Sequence, residues 1–385
     1  MKRLRDPQWL LILMFLGIIA GVPLIQVAVE LRQGEDLRAL GVFHQPPTSA
    51  NLRAYERNLE SANWAAQLTR PWVQFAQFAW LRDGAEKAVI GRDGWYFYQP
   101  GLRYTLSRTD RPATNRVPED PLPAILDFRD QLAARGIRLL LMPVPNKESV
   151  HPDRLTRRAK DWRPVRSPRT ADLLRRLRAA DVEVLDLFDE FARVRESDNT
   201  PDSPSLYLAQ DTHWSPAGVA VAARAAARRL QDLGWARPGD TDYAARPAPV
   251  KRLGDILQML QVPALERRLA PEAVPCVQVF RADTGEPYRD AAEAEILLLG
   301  DSFLRVYQED EPGAAGFVAH LARELRQPLL AVVNDGGGAT LVRQELFHRP
   351  AFLRGKKVVL WEFVERDIGQ ALEGWQRVPL PPATP

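Results

Sequence analysis

Cysteine is almost missing from this chain of 385 residues. Its single copy, Cys276, excludes an internal disulfide and leaves no second thiol for a thiolate metal site. Histidine is scarce too, with five copies, and no two of them show metal-ligand spacing such as H-x-x-x-H. No large excess of one charge is present. A net charge of +3 with interspersed signs, and no basic run interleaved with aromatics, argues against a nucleic-acid partner. No internal repeat is visible. No second apolar run approaches the length of the one at the N-terminus.

That first run is the clearest compositional signal. No charge falls between Asp6 and Glu30, and Trp9 to Val29 would span about 31 Å as a helix, close to the thickness of a bilayer core. Lys2, Arg3 and Arg5 precede it, and Glu30, Glu35 and Asp36 are among the charges that follow. The positive-inside tendency therefore keeps residues 1–8 cytoplasmic and sends the chain after 9–29 across the membrane. A cleaved signal peptide is the rival reading, but its apolar region is normally about 7–15 residues and ends in small residues. The run here is longer and ends in a poor "VAV".

Residues 30–115 read as a helical and hairpin extension. "NWAAQLTRPWVQFAQFAWL" is a helix rich in Trp and Phe that packs on the main domain, lies near the membrane surface or serves as a docking face for a membrane partner. "VIGRDGWYFYQ" places apolar and aromatic residues around a Gly-Arg-Asp-Gly turn, as a β-hairpin does. The Pro-rich segment 111–123 reads as a boundary.

Beyond it, helical and strand patterns alternate. "PAILDFRDQLAARG" reads as an amphipathic helix, "IRLLLMPVP" as a buried strand, 169–180 as a helix and "VEVLDL" as a strand. A helix is expected to start at Pro216. An irregular insertion occupies about 240–290, and "AEILLLG", "PLLAVVN" and "KKVVLWEF" are further strands. Five apolar strands separated by helices predict an α/β domain over 116–376, with a parallel sheet covered on both faces, followed by a Pro-rich tail at 377–385. Ligands of such sheets bind beyond the carboxyl ends of the strands, so chemistry is sought there.

Ser302 follows one of those strands, where its hydroxyl and backbone N–H can face a bound ester. A serine needs a positioned base. His213 in "QDTHWSPAG" is the best candidate, because Asp211 lies two residues back and residues i and i+2 of an extended segment share a side. Asp211 would then hold one ring nitrogen and leave the other for Ser302, which is the logic of a Ser-His-Asp triad. A partial metal site at "DTH" is the alternative, and the absence of a second histidine cluster weighs against it. Ser215 and Pro216 suit an N-cap and first helical position. Asp301 is expected to be a structural carboxylate. His44, His151, His320 and His348 are expected to be surface or structural.

These residues carry a resemblance. "GDSF" around Ser302 and "VVNDGGGAT" around Gly338 resemble the first two blocks of the SGNH hydrolases, and "QDTHWSPAG" resembles their closing Asp/His block. That block precedes the serine here by about ninety residues, so the sheet looks circularly permuted. The permuted order, with "VIGRDGWYFY", "PVPNK", "RLGDILQML" and "VVLWEFVERDI", resembles the AlgJ/AlgX group of polysaccharide O-acetyltransferases over roughly 85–370. Its anchor and the lack of a carbohydrate-binding domain after residue 376 are more like AlgJ than AlgX.

The resemblance implies a three-layer α/β/α fold and acetyl transfer through an acetyl-serine onto an exported polysaccharide, alginate or similar. It implies no cofactor and no metal. It also implies a bacterial inner-membrane location with a periplasmic catalytic part, and a multipass membrane O-acyltransferase as acetyl donor. The oxyanion donors would be the N–H groups of Ser302 and Gly338. Arg366 stands where the family's third block has an Asn, with Asn334 and Asn146 as rivals. Trp214, Trp95 and Tyr96 are candidate faces for acceptor sugars, with a place in the core as the other reading of each. A carbohydrate acetylesterase using the same residues and a non-catalytic export scaffold are the competing readings.

Overall fold

A computed structural model describes residues 7–381 except 44–45, 47, 82, 85, 108–118, 160–163, 198–203 and 261. Most of the expected boundary segment, and His44, fall outside the described residues. The chain divides into two compact units, Met1–Arg82 with Gln261–Leu265, and Asp83–Leu260 with Glu266–Pro385.

In the first unit the apolar run forms the helix Pro7–Gln33. Within its stretch from Trp9 to Gln33, an 18-residue window has a mean hydropathy of 2.6, and the helix is long and apolar enough to cross a membrane. Two further helices follow, Ser49–Ala62 and Trp64–Ala76, the second continuing through a π-helical turn at Gln77–Leu81. Thr48 and Asn63 cap them by accepting backbone N–H groups of the first turns.

The second unit begins with the expected hairpin. Strands β1 (Asp83–Gly84), β2 (Ala88–Ile90) and β3 (Tyr96–Tyr98) form a small antiparallel sheet. The turn between β2 and β3 passes through left-handed backbone at Asp93 and Gly94. Strand β4 (Arg138–Val144) and the short β5 (Glu183–Val184) open the central sheet. The insertion is more regular than its sequence implied. It folds into two antiparallel ribbons, β6 (Tyr243–Pro247) with β9 (Val277–Arg281) and β7 (Val250–Arg252) with β8 (Glu272–Val274). Strands β10 (Ile296–Gly300), β11 (Leu330–Val333) and β12 (Val358–Val364) complete the central sheet.

The sheet order is β11-β10-β12-β4-β5, and every pairing is parallel. The near-continuous apolar strands are explained by burial on both faces. Leu140, Met142, Leu298 and Leu360 point to one side, where they pack with helices Pro216–Asp232 and Phe317–Leu325. Leu139, Leu141, Leu297, Leu299 and Val359 point to the other, against helices Pro121–Ala133, Pro168–Ala179 and Leu341–Phe347. This is the three-layer α/β/α arrangement, with the chain's first sheet strands placed beside its last. Strands β4 and β12 pair over seven residues in register, Arg138 opposite Val358 through Val144 opposite Val364.

Candidate active site

The base loop is built from a tight turn and not from an extended strand. Tyr207 and Trp214 form an isolated antiparallel bridge, and residues 209–213 bend between them. Asp211 Oδ1 accepts the backbone N–H of His213 at 3.1 Å and its Nδ1–H at 2.6 Å. The Asp-x-His spacing therefore works through an Asx-type turn, in which a short carboxylate side chain reaches the backbone two residues on. The other ring nitrogen, Nε2, lies 2.8 Å from Ser302 Oγ.

Several groups hold the loop. Lys147, fully enclosed after β4, donates to the carbonyls of Tyr96 (2.6 Å), Ala209 (2.8 Å) and Asp211 (3.0 Å). Glu272 accepts the N–H groups of Ala209 and Gln210. The segment "RLGD" closes over Asp211. Arg252 Nε donates to Asp211 Oδ2 at 2.8 Å and the Asp255 N–H donates at 3.2 Å. Gly254 lies so close that a Cβ there would stand 2.0 Å from the Gln210 carbonyl oxygen. Downstream, Ser215 caps the helix by accepting the Gly218 N–H at 3.2 Å, with Pro216 at its first position.

Electrostatics follow from these partners. Burial alone would push the Asp211 carboxyl up, but the His213 imidazole and the Arg252 guanidinium hold it far below the usual carboxylate range. Burial would likewise push His213 down, but the Asp211 carboxylate raises it above its ordinary value. Asp255, raised by burial and by Asp211, lies 3.5 Å from His213 Nδ1 and accepts the Thr212 N–H at 2.7 Å.

Asp211, His213 and Asp255 have ligand atoms within 4.8 Å of one another, the spacing a metal ion would need. Asp211 nevertheless already accepts four hydrogen bonds, which fills the lone-pair positions of a carboxylate, and a guanidinium stands at its outer edge. The trio fits a base held by carboxylates better than a cation site.

The Ser302 side is equally tight. Ser302 is the first residue of the short helix Ser302–Arg305, and Asp301 caps it by accepting the Phe303 N–H at 2.9 Å. The Asp301 N–H donates to Glu362 Oε2 at 2.9 Å. Gly300 admits that carboxyl, since a Cβ there would meet Glu362 Oε2 at 2.4 Å.

A cavity of about 690 Å³ opens over His213 and Ser302. Its wall holds many charges, including Arg252, Arg305, Arg366, Asp310 and Asp335. Arg305 donates to Asp335 at 2.8 Å and pairs with Asp310, which also accepts from Arg252 at 3.1 Å.

The other expected residues separate into groups. Arg366 lines the cavity, with its guanidinium 5.3 Å from the centre of the Tyr98 ring. Gly338 is buried beneath Phe363. A Cβ on it would stand 2.9 Å from Asp301 Oδ2, and its carbonyl accepts the Trp361 indole N–H at 2.7 Å. Gly336 of the same loop, not Gly338, lines the cavity. The Asn334 N–H donates to the Gly300 carbonyl at 3.0 Å, and the residue is not in the cavity wall. Asn146 is turned away, its amide donating to Thr105 Oγ1 at 3.2 Å.

The three candidate aromatic residues take the core reading and not the acceptor one. Trp214 is wholly buried, stacked on Phe317 at 5.6 Å and edge-on to Phe303 at 5.3 Å, so it wedges the loop and faces no ligand. Trp95 and Tyr96 are also buried, and neither is in the cavity wall. Tyr98, at the end of the same β3, is. Sequence reasoning missed the roles of Lys147, Arg252 and Asp255, although all three lie in quoted motifs. The signal was residue type: a lysine directly after an apolar strand, and an Arg and an Asp three apart. Of the remaining histidines, His151 and His320 are buried in the interior, and His348 is exposed.

Comparison with known proteins places these features. The probable alginate O-acetylase AlgJ of Pseudomonas aeruginosa is 23% identical over 317 residues, covering 79% of this chain and 75% of that protein. The corresponding protein of Pseudomonas syringae pv. tomato is 26% identical over 326 residues, covering 80% and 77%. Among solved structures, the O-acetyltransferase domain of Pseudomonas putida AlgJ superposes with a TM-score of 0.55 at 22% identity, over 73% of this chain and 92% of that one. The profile of the family described as SGNH hydrolase-like domain, acetyltransferase AlgX, matches residues 88–365, which takes in the base loop, the nucleophile and all five strands of the central sheet, and the chain belongs to that family.

Proposed function

We propose that this protein is an O-acetyltransferase that moves an acetyl group through an acetyl-Ser302 intermediate onto hydroxyls of an exported polysaccharide. The relatives' names make alginate the first polymer to test. The observation that carries the reading is His213, set 2.6 Å from Asp211 and 2.8 Å from Ser302 Oγ at the floor of an open cavity.

In the first half-reaction Ser302 Oγ attacks the acetyl carbonyl carbon and its proton passes to His213 Nε2. Asp211 holds the Nδ1–H and stabilises the imidazolium. The Ser302 N–H and Arg366 at the cavity wall are the proposed donors to the oxyanion. His213 returns the proton to the leaving group. In the second half-reaction a sugar hydroxyl gives its proton to His213 Nε2 and attacks the acetyl-serine, and Ser302 Oγ leaves and is reprotonated. The cavity is far larger than an acetyl group, as a polymer acceptor needs, and Tyr98 offers it a ring face.

Residues 9–29 act as a single-pass anchor in the bacterial inner membrane, with the N-terminus cytoplasmic and the catalytic unit periplasmic. A multipass membrane O-acyltransferase supplies the acetyl group across the bilayer. The full chain, given a soluble acetyl ester and an unacetylated oligosaccharide, is expected to yield acetylated sugar, and Ser302→Ala and His213→Ala to abolish it. Free acetate as the sole product would make the protein an esterase. Unchanged polymer acetylation in cells carrying Ser302→Ala would make it a scaffold.

A further inference from the structure

We propose that the segment Trp64–Leu81 lies in the outer interfacial layer of the bilayer, against lipid, as a second membrane attachment beside the spanning helix. The inference rests on the anchor reading above.

Over these eighteen residues the only charge is Arg70, and the segment carries three tryptophans and two phenylalanines. Its helical part buries no residue. Leu68, Trp72, Ala76 and Trp80 recur every four residues, so they form one stripe along the helix with Val73 beside it. Trp72 is 70% exposed and Trp80 82% exposed. Large rings left facing out in this way are unfavourable in water and suit the boundary between headgroups and acyl chains, where Trp concentrates.

The depth of the segment is fixed by its attachment. The Trp64 N–H donates to Gln26 Oε1 at 2.9 Å, and the Trp64 indole N–H donates to the Val22 carbonyl at 3.4 Å. Gln26 in turn donates to Glu30 at 2.8 Å, and Glu30 accepts the Arg38 N–H at 3.1 Å. The polar groups at this level are therefore paired inside the protein, as a low-dielectric setting requires. With the span ending near Val29, Val22 and Gln26 lie about 5–10 Å inside its outer edge at the helical rise. Surface-lying amphipathic helices reach the same depth, roughly 5–10 Å. The start of the segment is thus pinned at interfacial depth by contacts to the spanning helix itself.

The test uses the full chain in phosphatidylethanolamine–phosphatidylglycerol nanodiscs, with nitroxide labels at Leu16→Cys, Arg70→Cys, Trp72→Cys or Trp80→Cys. Cys276 is buried, and label-treated wild-type protein serves as the background. Collision with oxygen reports lipid, and collision with a nickel chelate reports water. Labels at 16, 72 and 80 are expected to be oxygen-accessible, with nickel accessibility at 72 and 80 about tenfold below that at 70. A lipid-exposed label at 16 with water-exposed labels at 72 and 80 would overturn the interfacial placement and leave the anchor standing. A water-exposed label at 16 would overturn the anchor and this placement together. Labels at 72 and 80 shielded from both reagents would show protein contact and reject lipid as the occupant.

Discussion

Two carboxyl groups are sealed completely from solvent on either side of Ser302, and the protein treats them oppositely. Asp211, on the base side, accepts four hydrogen bonds and touches a guanidinium. Glu362, on the strand side, accepts the Asp301 N–H through one oxygen, while its other oxygen has no hydrogen-bond partner among the described residues. Burial and the neighbouring Asp301 carboxylate push Glu362 well above its usual range. Their surroundings alone push the one carboxyl down and the other up. A carboxylate becomes a base-orienting charge where donors and a cation converge on it, and a plain hydrogen-bonding group where they do not.

The sharpest way to break this contrast is to make the same amide substitution at both positions. Asp211→Asn keeps the shape but removes the charge and can present an N–H to His213 Nδ1, favouring the wrong tautomer. Loss of kcat by about 10³–10⁴-fold is expected in the acetyl-transfer assay. The residual activity should also report the base. In the wild type the rate should rise with pH as His213 gives up its proton, with a midpoint above the ordinary imidazole value. Without the Asp211 charge, burial dominates and the midpoint should move to lower pH.

Next in size is Lys147→Met. Three buried carbonyls lose their donor, and two of them belong to the base loop. Stability measured by denaturant unfolding should fall by about 2–4 kcal/mol. The loosened loop should lower kcat more than it raises KM, because Lys147 is not in the wall of the cavity over His213 and Ser302.

Glu362→Gln should have the smallest effect, within about threefold of wild-type kcat/KM. The amide oxygen still accepts the Asp301 N–H, and the amide NH₂ stands where a protonated carboxyl carries its hydrogen. A large loss here would mean that Glu362 is ionised in the working enzyme. Glu148 allows a related stability measurement. Burial raises it to about 8, so between the unfolded value near 4.5 and that figure the native state holds a proton the unfolded state has lost. Stability from this group is full below pH 4.5 and lost as pH rises through 8, so Glu148→Gln should flatten the fall in Tm over that window.

Much of the fold was legible in the chain. The runs "RLLLMPV", "ILLLG" and "VVLWEFV" are apolar on both sides of the strand, which only a parallel sheet covered on both faces accommodates. The insertion was not legible, because its ribbons are held by pairing between segments far apart in sequence, such as Tyr243 with Arg281. Within the site, Asp211, His213 and Ser302 could be nominated from residue type and spacing. Trp214 could not be judged, since a tryptophan beside a histidine of this kind has the same sequence signature whether it faces a sugar or a core. Packing on Phe303 and Phe317, 89 and 103 positions away, decided it.

The sequence by itself determined which groups have the chemistry: a serine at a strand end, one histidine with a carboxylate two residues away, and an apolar run long enough to span a bilayer. Those properties are local, written in residue type and in the periods of helix and strand. Only the tertiary structure decided their burial and partners. Arg252 reaches Asp211 across 41 positions, Lys147 reaches the base loop across more than sixty, and Ser302 meets His213 across 89. Desolvation and hydrogen bonding depend on which surfaces the folded chain brings together, and no short window of sequence contains both partners.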